Sequence, residues 1–185
     1  MDNIQDFCYQ LDADGVCICS YEGKNEAVVI PSYIDHHPVV RIGGFAFSYQ
    51  EGIQSVVIPE GVREIEIGAF EGCSALQRVV IPESVTEIGE GAFRDCGSLQ
   101  SVEIPAGVRE LEHEVFSNCS SLGSIVLHQG LERIGGTFDN CTALTAVILP
   151  DSVARSVRST SGEMLMIFDR FTNVDLETRK KFLFE

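Results

Sequence analysis

Hydrophobic and polar positions repeat along the chain with a period of 22 to 23 residues. The stretch GAFEGCSALQRVVIPESV (68–85) is followed by GAFRDCGSLQSVEIPAGV (91–108), and the two copies differ mainly at polar positions. Such a period predicts a solenoid, in which stacked coils bury a core that one coil cannot bury alone. Two columns define the repeat best: Phe47, Phe70, Phe93, Phe116 and Phe138, and Cys73, Cys96, Cys119 and Cys141.

Each repeat unit predicts one short β-strand, followed by a segment that leads the chain back to the start of the next strand. In LQRVVIP (76–82) the apolar residues alternate, as in a strand, and the proline ends the strand because it has no N–H to donate. The following VxxI segment, such as 85–88, returns two apolar side chains to the interior, and GAFxxC supplies an aromatic to fill the coil. Because stacked strands pair roughly 4.8 Å apart, the sequence predicts a parallel sheet on one face.

The strand motif LxxVxI at this period resembles a leucine-rich repeat, and the longer motif AFxxCxxLxxVxIPxxVxxI is similar to the repeats of bacterial BspA-like surface antigens. The resemblance covers about residues 27–150. It implies an α/β-type repeat solenoid, a right-handed stack of about six coils with a parallel β-sheet on one face. It also implies a cell-surface or secreted protein that adheres to a host or matrix protein. Gln50 in a cysteine position and His128 in a proline position depart from the motif.

The residues outside the repeats predict end caps on one structural domain. FCYQLDADGVCICSYEG (7–23) alternates around Asp14-Gly15, which predicts a β-hairpin cap within residues 1–26. The repeats then occupy residues 27–150. Residues 151–185 read as a polar turn and apolar helical segments, which predicts a helical C-terminal cap; docking of a partner by this tail is the alternative.

Composition restricts the classes of partner. The chain has 13 Lys and Arg against 28 Asp and Glu, a net charge of −15, which argues against nucleic acid and anionic membrane surfaces. No run of about 18 apolar residues occurs, so we expect no membrane insertion. The N-terminus MDNIQDFCYQ lacks the basic start and apolar block of a secretory signal. We therefore expect either a cytoplasmic protein or one from which a signal has been removed.

The cysteine column is the first candidate for chemistry. Metal sites use closely spaced cysteine pairs that converge on a point, whereas these cysteines lie in a line along the stack. We interpret them as a buried structural column, with a disulfide between adjacent coils or a reactive thiol as the alternatives. No phosphate loop, HExxH motif or nucleophile elbow is present. We therefore predict no enzyme, no catalytic residues, no metal site and no cofactor.

One polar column is acidic. Glu64, Glu87 and Glu110 share a position of the repeat, and Arg41 and Arg133 occupy it in the outer units. Like charges directly opposite each other destabilise a strand ladder. We interpret this column as a solvated flank that keeps the stack soluble, and a cation site is the alternative.

The residues between the inward strand positions form the predicted binding face. One outward column is apolar except at Glu103, although a solvent-facing sheet usually alternates to polar residues. An exposed apolar patch often marks an interaction site, and strand propensity alone is the alternative explanation. In leucine-rich repeats this face is the usual binding surface. We predict non-catalytic recognition of a protein partner; an intracellular scaffold that forms homo-oligomers through the same stripe is the alternative. The predicted partner-binding residues are Val29, Val57, Arg78, Val80, Ser101, Glu103, Val126 and Ile148.

Overall fold

A computed structural model describes residues 4–128 and 130–148. This part of the chain winds into coils, each of which passes through a first sheet, a second sheet and a segment of turns. A short 3-10 helix, Ile4–Asp6, precedes the strands. The strands are β1 (Phe7–Asp12), β2 (Gly15–Tyr21), β3 (Ala27–Val29), β4 (Tyr33–Ile34), β5 (His37–Ile42), β6 (Ser55–Val57), β7 (Glu64–Ile65), β8 (Arg78–Val80), β9 (Glu87–Ile88), β10 (Ser101–Glu103), β11 (Glu110–Leu111), β12 (Ser124–Val126), β13 (Arg133–Ile134) and β14 (Ala146–Ile148).

The first sheet contains one three-residue strand from each coil, in the order β14-β12-β10-β8-β6-β3. The strands are parallel, and each residue lies opposite its equivalent in the next coil: Val28 faces Val56, and Val56 faces Val79. These middle residues are buried. The predicted parallel sheet is confirmed, and its six strands correspond to about five full turns of a solenoid.

The VxxI segments form a second sheet that the sequence did not predict. Val62 and Ile65 are buried, as expected. The residues around them also pair from coil to coil: β5, β7 and β9 are parallel neighbours, and β11 pairs with β13. Strands of two residues are too short to carry an alternation of apolar and polar positions, so the sequence contains no signal for them.

The α/β-type class expected from the sequence is wrong for the described residues, which contain no α-helix. The reason lies in the turn segments, where backbone N–H groups donate to the next coil: Gly68 N to Glu90 O at 2.9 Å and Phe70 N to Ala92 O at 2.8 Å. Groups bonded between coils cannot make the i to i−4 bonds of a helix. The described chain is therefore a β-solenoid. The predicted helical cap, residues 151–185, lies outside the described residues.

A column of stacked aromatic rings runs through the core. The ring centroids of Phe47 and Phe70 are 4.9 Å apart, those of Phe70 and Phe93 5.2 Å, and those of Phe93 and Phe116 5.5 Å. Phe138 continues the column at 6.0 Å. The rings of the three central pairs lie within 20° of parallel, because identical rotamers repeat at the spacing of the coils.

The cysteine column is a buried structural column, as interpreted from the sequence. Cys73, Cys96 and Cys119 are buried and reduced. Each Sγ donates to the carbonyl of the phenylalanine one coil earlier, at 3.1 to 3.2 Å. Cys141 makes the same contact with Phe116 O at 3.0 Å. The same carbonyls also accept backbone bonds within their own coil, such as Cys73 N to Phe70 O at 3.3 Å, so each thiol adds a second bond that links two coils.

The N-terminal hairpin covers the first coil and continues both columns. Strands β1 and β2 are antiparallel, and β2 joins the second sheet beside β5. The Tyr21 ring stacks on Phe47 at 5.3 Å, in the place of a further phenylalanine. Gln50 stands in the cysteine position, and its Nε2 donates to Tyr21 O at 2.9 Å. Gln50 therefore replaces the thiol at the end of the stack with a longer donor.

Removal of one ring from the column should destabilise the chain. We expect Phe93→Ala to lower the free energy of unfolding by about 3–5 kcal/mol, because the ring is fully buried between two others. Urea denaturation measures the loss. Tyr33→Ala, which removes an exposed ring, is the control. A Phe93→Ala midpoint equal to that of the control would contradict the stacked core.

The thiols should divide into two reactivity classes. Burial raises the pKa of the Cys73 thiol to about 12 and raises the pKa of Cys96 well above its ordinary value, so both remain protonated and unreactive. Cys8 and Cys19 are exposed. We expect a thiol reagent to label Cys8 and Cys19 in the native chain, and the buried thiols only in denaturant, as read by peptide mass spectrometry. Native labelling of Cys96 would rule out the buried column.

Candidate functional site

The apolar stripe lies on the outer face of the first sheet. Val29, Val57 and Val80 lie opposite one another in register, and they are 56%, 39% and 40% exposed. On the other side of Glu103 the column continues with Val126, which is partly buried, and Ile148, which pairs with Val126 in register. The structure therefore places the apolar residues of the prediction in one column, with a carboxylate within it.

A second outward column runs beside the stripe. Arg78 pairs with Ser55 on one side and Ser101 on the other, and Ser101 pairs with Ser124. Arg78 and Ser101 are exposed. The face thus combines an apolar stripe with small hydroxyls and one cation, as expected from the sequence.

The first sheet loosens between β8 and β10. These strands pair only at Arg78 and Ser101, whereas the neighbouring strand pairs each match three residues. Ile58 N donates to Val80 O at 3.1 Å and Ile104 N to Val126 O at 2.9 Å, but no such bond joins Ile81 to the following coil. The regular strand pairing is therefore interrupted at the point in the stripe where Glu103 lies next to Val80.

A groove of about 460 Å³ opens at this loosened junction. Five of the predicted partner-binding residues line it: Arg78, Val80, Ser101, Glu103 and Val126. Within it, Glu103 Oε1 is 2.9 Å from His128 Nε2. His128 stands where the other units carry proline, and the contact with Glu103 is a role for it that the motif alone did not reveal. Val29 and Val57 lie along the stripe but do not line the groove.

The second sheet carries a larger, acidic groove. Strands β9 and β11 are not paired, and a groove of about 730 Å³ lies between them. Sequence analysis identified its acidic column but not the concave shape, because the second sheet itself was not predicted. The charged residues that line the groove are Glu64, Glu66, Glu87, Arg109, Glu110 and Glu112.

The arginines of this column neutralise its two ends. Arg41 pairs with Asp12, and its Nε lies 3.7 Å from Glu66 Oε1. At the other end Arg133 pairs with Glu110. Burial raises the pKa of Glu64, and the nearby Glu66 and Glu87 carboxylates raise it further. Like charges are therefore held together in the middle of the column.

The described residues contain no metal-binding cluster, and their buried thiols are not activated. No group of three His, Cys, Asp or Glu side chains within residues 4–128 and 130–148 is placed to hold a metal ion. The buried thiols have raised pKa values, which is opposite to the shift that activates a nucleophile. No helix in the part of the chain that is described is long and apolar enough to cross a membrane. The geometry thus offers surfaces for contact.

Removal of the Glu64 charge should stabilise the chain at neutral pH. The raised pKa means that folded Glu64 holds its proton more tightly than unfolded Glu64, so its ionisation lowers stability above that pKa. We expect Glu64→Gln to gain up to about 1 kcal/mol at pH 7, and the gain to vanish below the ordinary carboxyl pKa of 4.5. Thermal melts between pH 3 and about pH 7 measure it. Glu60→Gln removes an exposed charge outside the column and is the control; an equal gain there would refute the local origin.

Solved structures with the same fold come from bacteria. A leucine-rich repeat protein of T. pallidum is 37% identical, with a TM-score of 0.78, over 80% of this chain and 71% of its own. A leucine-rich cell surface protein from Faecalibacterium prausnitzii A2-165 is 32% identical, with a TM-score of 0.73, over 82% of this chain. A leucine-rich repeat protein from Eubacterium ventriosum ATCC 27560 is 26% identical, with a TM-score of 0.67, over 80% of this chain.

The chain spans 43% and 41% of the F. prausnitzii and E. ventriosum chains. No curated protein sequence matches it. The model of the BspA-type leucine-rich repeat region matches residues 40–160 in six copies, which is more than half of the chain. Together with the register columns and the stacked core, this match shows that the chain belongs to the BspA-type leucine-rich repeat family, a family of generally non-enzymatic solenoids.

Proposed function

We propose that the chain is a non-catalytic protein-binding module whose partner docks on the outer face of the first sheet. The observation that carries the proposal is the alignment of Val29, Val57 and Val80 in one exposed column next to the groove at Glu103. Covering exposed apolar area contributes roughly 25 cal/mol per Å², and the polar column beside the stripe offers hydrogen bonds at its rim.

The groove at Glu103 forms the centre of the proposed interface. Apolar side chains of a partner would cover Val80 and Val126, while Glu103 and Arg78 offer charges of both signs within the same cavity. Interfaces typically combine an apolar centre with a polar rim in this way. Charged side chains such as Glu103 and Arg78 specify the orientation of a partner as well as its affinity.

Family membership supports a position at the bacterial surface as part of this proposal. Leucine-rich proteins of this type are typically bacterial surface proteins, and the F. prausnitzii relative is a cell surface protein. A host or matrix protein is the partner that this location favours. Contact between two proteins requires no cofactor, and none is part of the proposal.

Self-association through the same stripe is the competing function. The net charge of −15 opposes it, because two copies repel each other. Light scattering of wild type and Val80→Asp tests this alternative directly. A wild-type dimer that Val80→Asp converts to a monomer would establish a homo-oligomer in place of a foreign partner.

A charge-matched pair of variants tests the binding face. Val57, Val80 and Val126 are changed together to Asp, and the control changes Ser74, Ser120 and Thr142 to Asp on the turn segments. We expect the control to retain the partner proteins that immobilised wild type captures, and the valine variant to lose at least about 90% of them, because three buried charges cost several kcal/mol. Circular dichroism confirms that both variants fold. Equal recovery by the two variants would reject the first sheet as the site.

A further inference from the structure

Two exposed aromatic residues have a backbone conformation that bulky side chains avoid. Phe45 and Tyr49 have φ of 59° and 56°. The turn segments repeat the first conformation in four coils and the second in five, and the later coils mostly use residues that tolerate them. The first column is Phe45, Gly68, Gly91 and Glu114, and the second is Tyr49, Gly72, Asp95, Asn118 and Asn140.

Both rings lie across the glycines of the next coil. A side chain at Gly68 would overlap the Phe45 ring, and one at Gly72 would overlap the Tyr49 ring. The rings are nevertheless open to solvent, with Phe45 51% and Tyr49 66% exposed. Exposed Ile67 lies next to Phe45, whose backbone N donates to Ile67 O at 3.0 Å. We call Phe45, Tyr49 and Ile67 the aromatic patch.

The core does not account for the aromatic patch. The buried ring of this coil is Phe47, which stacks in the central column. At the patch positions, the next coils place Gly68, Gly72 and Glu90, which are small or polar. A positive φ at a bulky, exposed residue lowers stability. Where a smaller residue would fit the same turn without that loss, the bulky residue marks a functional surface.

Carboxylates border the aromatic patch. Tyr49 Oη donates to Glu71 Oε1 at 3.3 Å, and Gly44 N donates to Glu66 Oε2 at 2.8 Å. Glu51 follows Tyr49 in the chain, and the backbone carbonyl of Glu90 accepts from Gly68 under the Phe45 ring. Neither Glu51 nor Glu90 forms an ion pair with another described residue.

The cation next to the aromatic patch is already neutralised. Arg94 lies 3.9 Å from Glu71, 3.5 Å from Asp95 and 2.7 Å from Glu114. Arg41 lies 3.7 Å from Glu66 and offsets that carboxylate as well, but the carboxylates of Glu51 and Glu90 leave the local charge negative. An aromatic face attracts a cation through its quadrupole, and adjacent carboxylates strengthen that attraction.

We propose that the aromatic patch binds a segment of a partner protein that carries arginines, with one guanidinium over each of the Phe45 and Tyr49 rings and the carboxylates around them. A second copy of this chain does not fit, because each copy carries a net charge of −15. A neutral ligand, such as a glycan, would stack on the rings but leave the bordering charge unpaired. The surface is on the turn segments, so the proposal is independent of partner binding on the first sheet.

The test uses a blocked peptide, Gly-Arg-Gly-Arg-Gly, and the same peptide with citrulline, a neutral isostere, in place of arginine. Chemical-shift titration of the chain follows the Phe45 and Tyr49 rings. We expect saturable shifts with the arginine peptide and about tenfold weaker binding of the citrulline peptide, a typical effect of losing a cation–π contact. The double variant Phe45→Gly, Tyr49→Asn should weaken arginine binding by a similar factor.

The double variant keeps the fold, because Gly and Asn occupy these two positions in later coils. A melting curve confirms this, and Tyr33→Asn, which removes a different exposed ring, should bind the arginine peptide as wild type does. Equal affinity for the arginine and citrulline peptides, or unchanged affinity in the double variant, would overturn the proposal. So would ring shifts produced by maltotriose and not by the arginine peptide, which would assign the rings to a neutral sugar.

Discussion

The structure depends on the spacing between coils. Strands in one sheet lie roughly 4.8 Å apart, and the backbone of one coil is bonded to the next at this distance. Each side chain therefore has its own equivalent as its nearest neighbour, above and below. The stacked rings of Phe70 and Phe93 and the bonds of Cys73 and Cys96 to the preceding coil follow directly from this constraint. It explains why the core residues of the repeat hardly vary.

The same constraint decides how much of the fold could be predicted. The columns of Phe, Cys and the inward strand residues are visible in the sequence, because a repeat of 22 to 23 residues brings them into register without knowledge of backbone angles. The stripe of Val57 and Val80 was predicted for that reason. The second sheet was not, because Glu64 and Ile65 form a strand too short for a periodic signal. The expected helical cap, residues 151–185, lies outside the described residues; within them, turn N–H groups bond between coils instead of along the chain.

Some features of the candidate sites could likewise be predicted from the sequence, and others could not. The outward residues of the first sheet could be predicted from the sequence, but the groove at Glu103 could not, because it depends on how many pairings form between β8 and β10. The aromatic patch was not predicted, although the repeat separates the two phenylalanines: Phe47 lies in the phenylalanine column, whereas Phe45 aligns with Gly68 of the next coil. The alignment shows that Phe45 is outside the core column, but only the backbone angle and the exposure show that its ring lies open over that glycine.

The replacement of the column residues at the N-terminal end has an evolutionary consequence. There Tyr21 supplies the stacked ring and Gln50 supplies the side-chain donor, as phenylalanine and cysteine do in the interior. The hairpin can therefore pack on a coil of the regular shape. Because every coil presents the same surface to its neighbour, duplication or deletion of a whole unit leaves both ends with compatible contacts. Unequal exchange within the gene can then change the length of the molecule, and the distance between its surfaces, without the need to redesign the core.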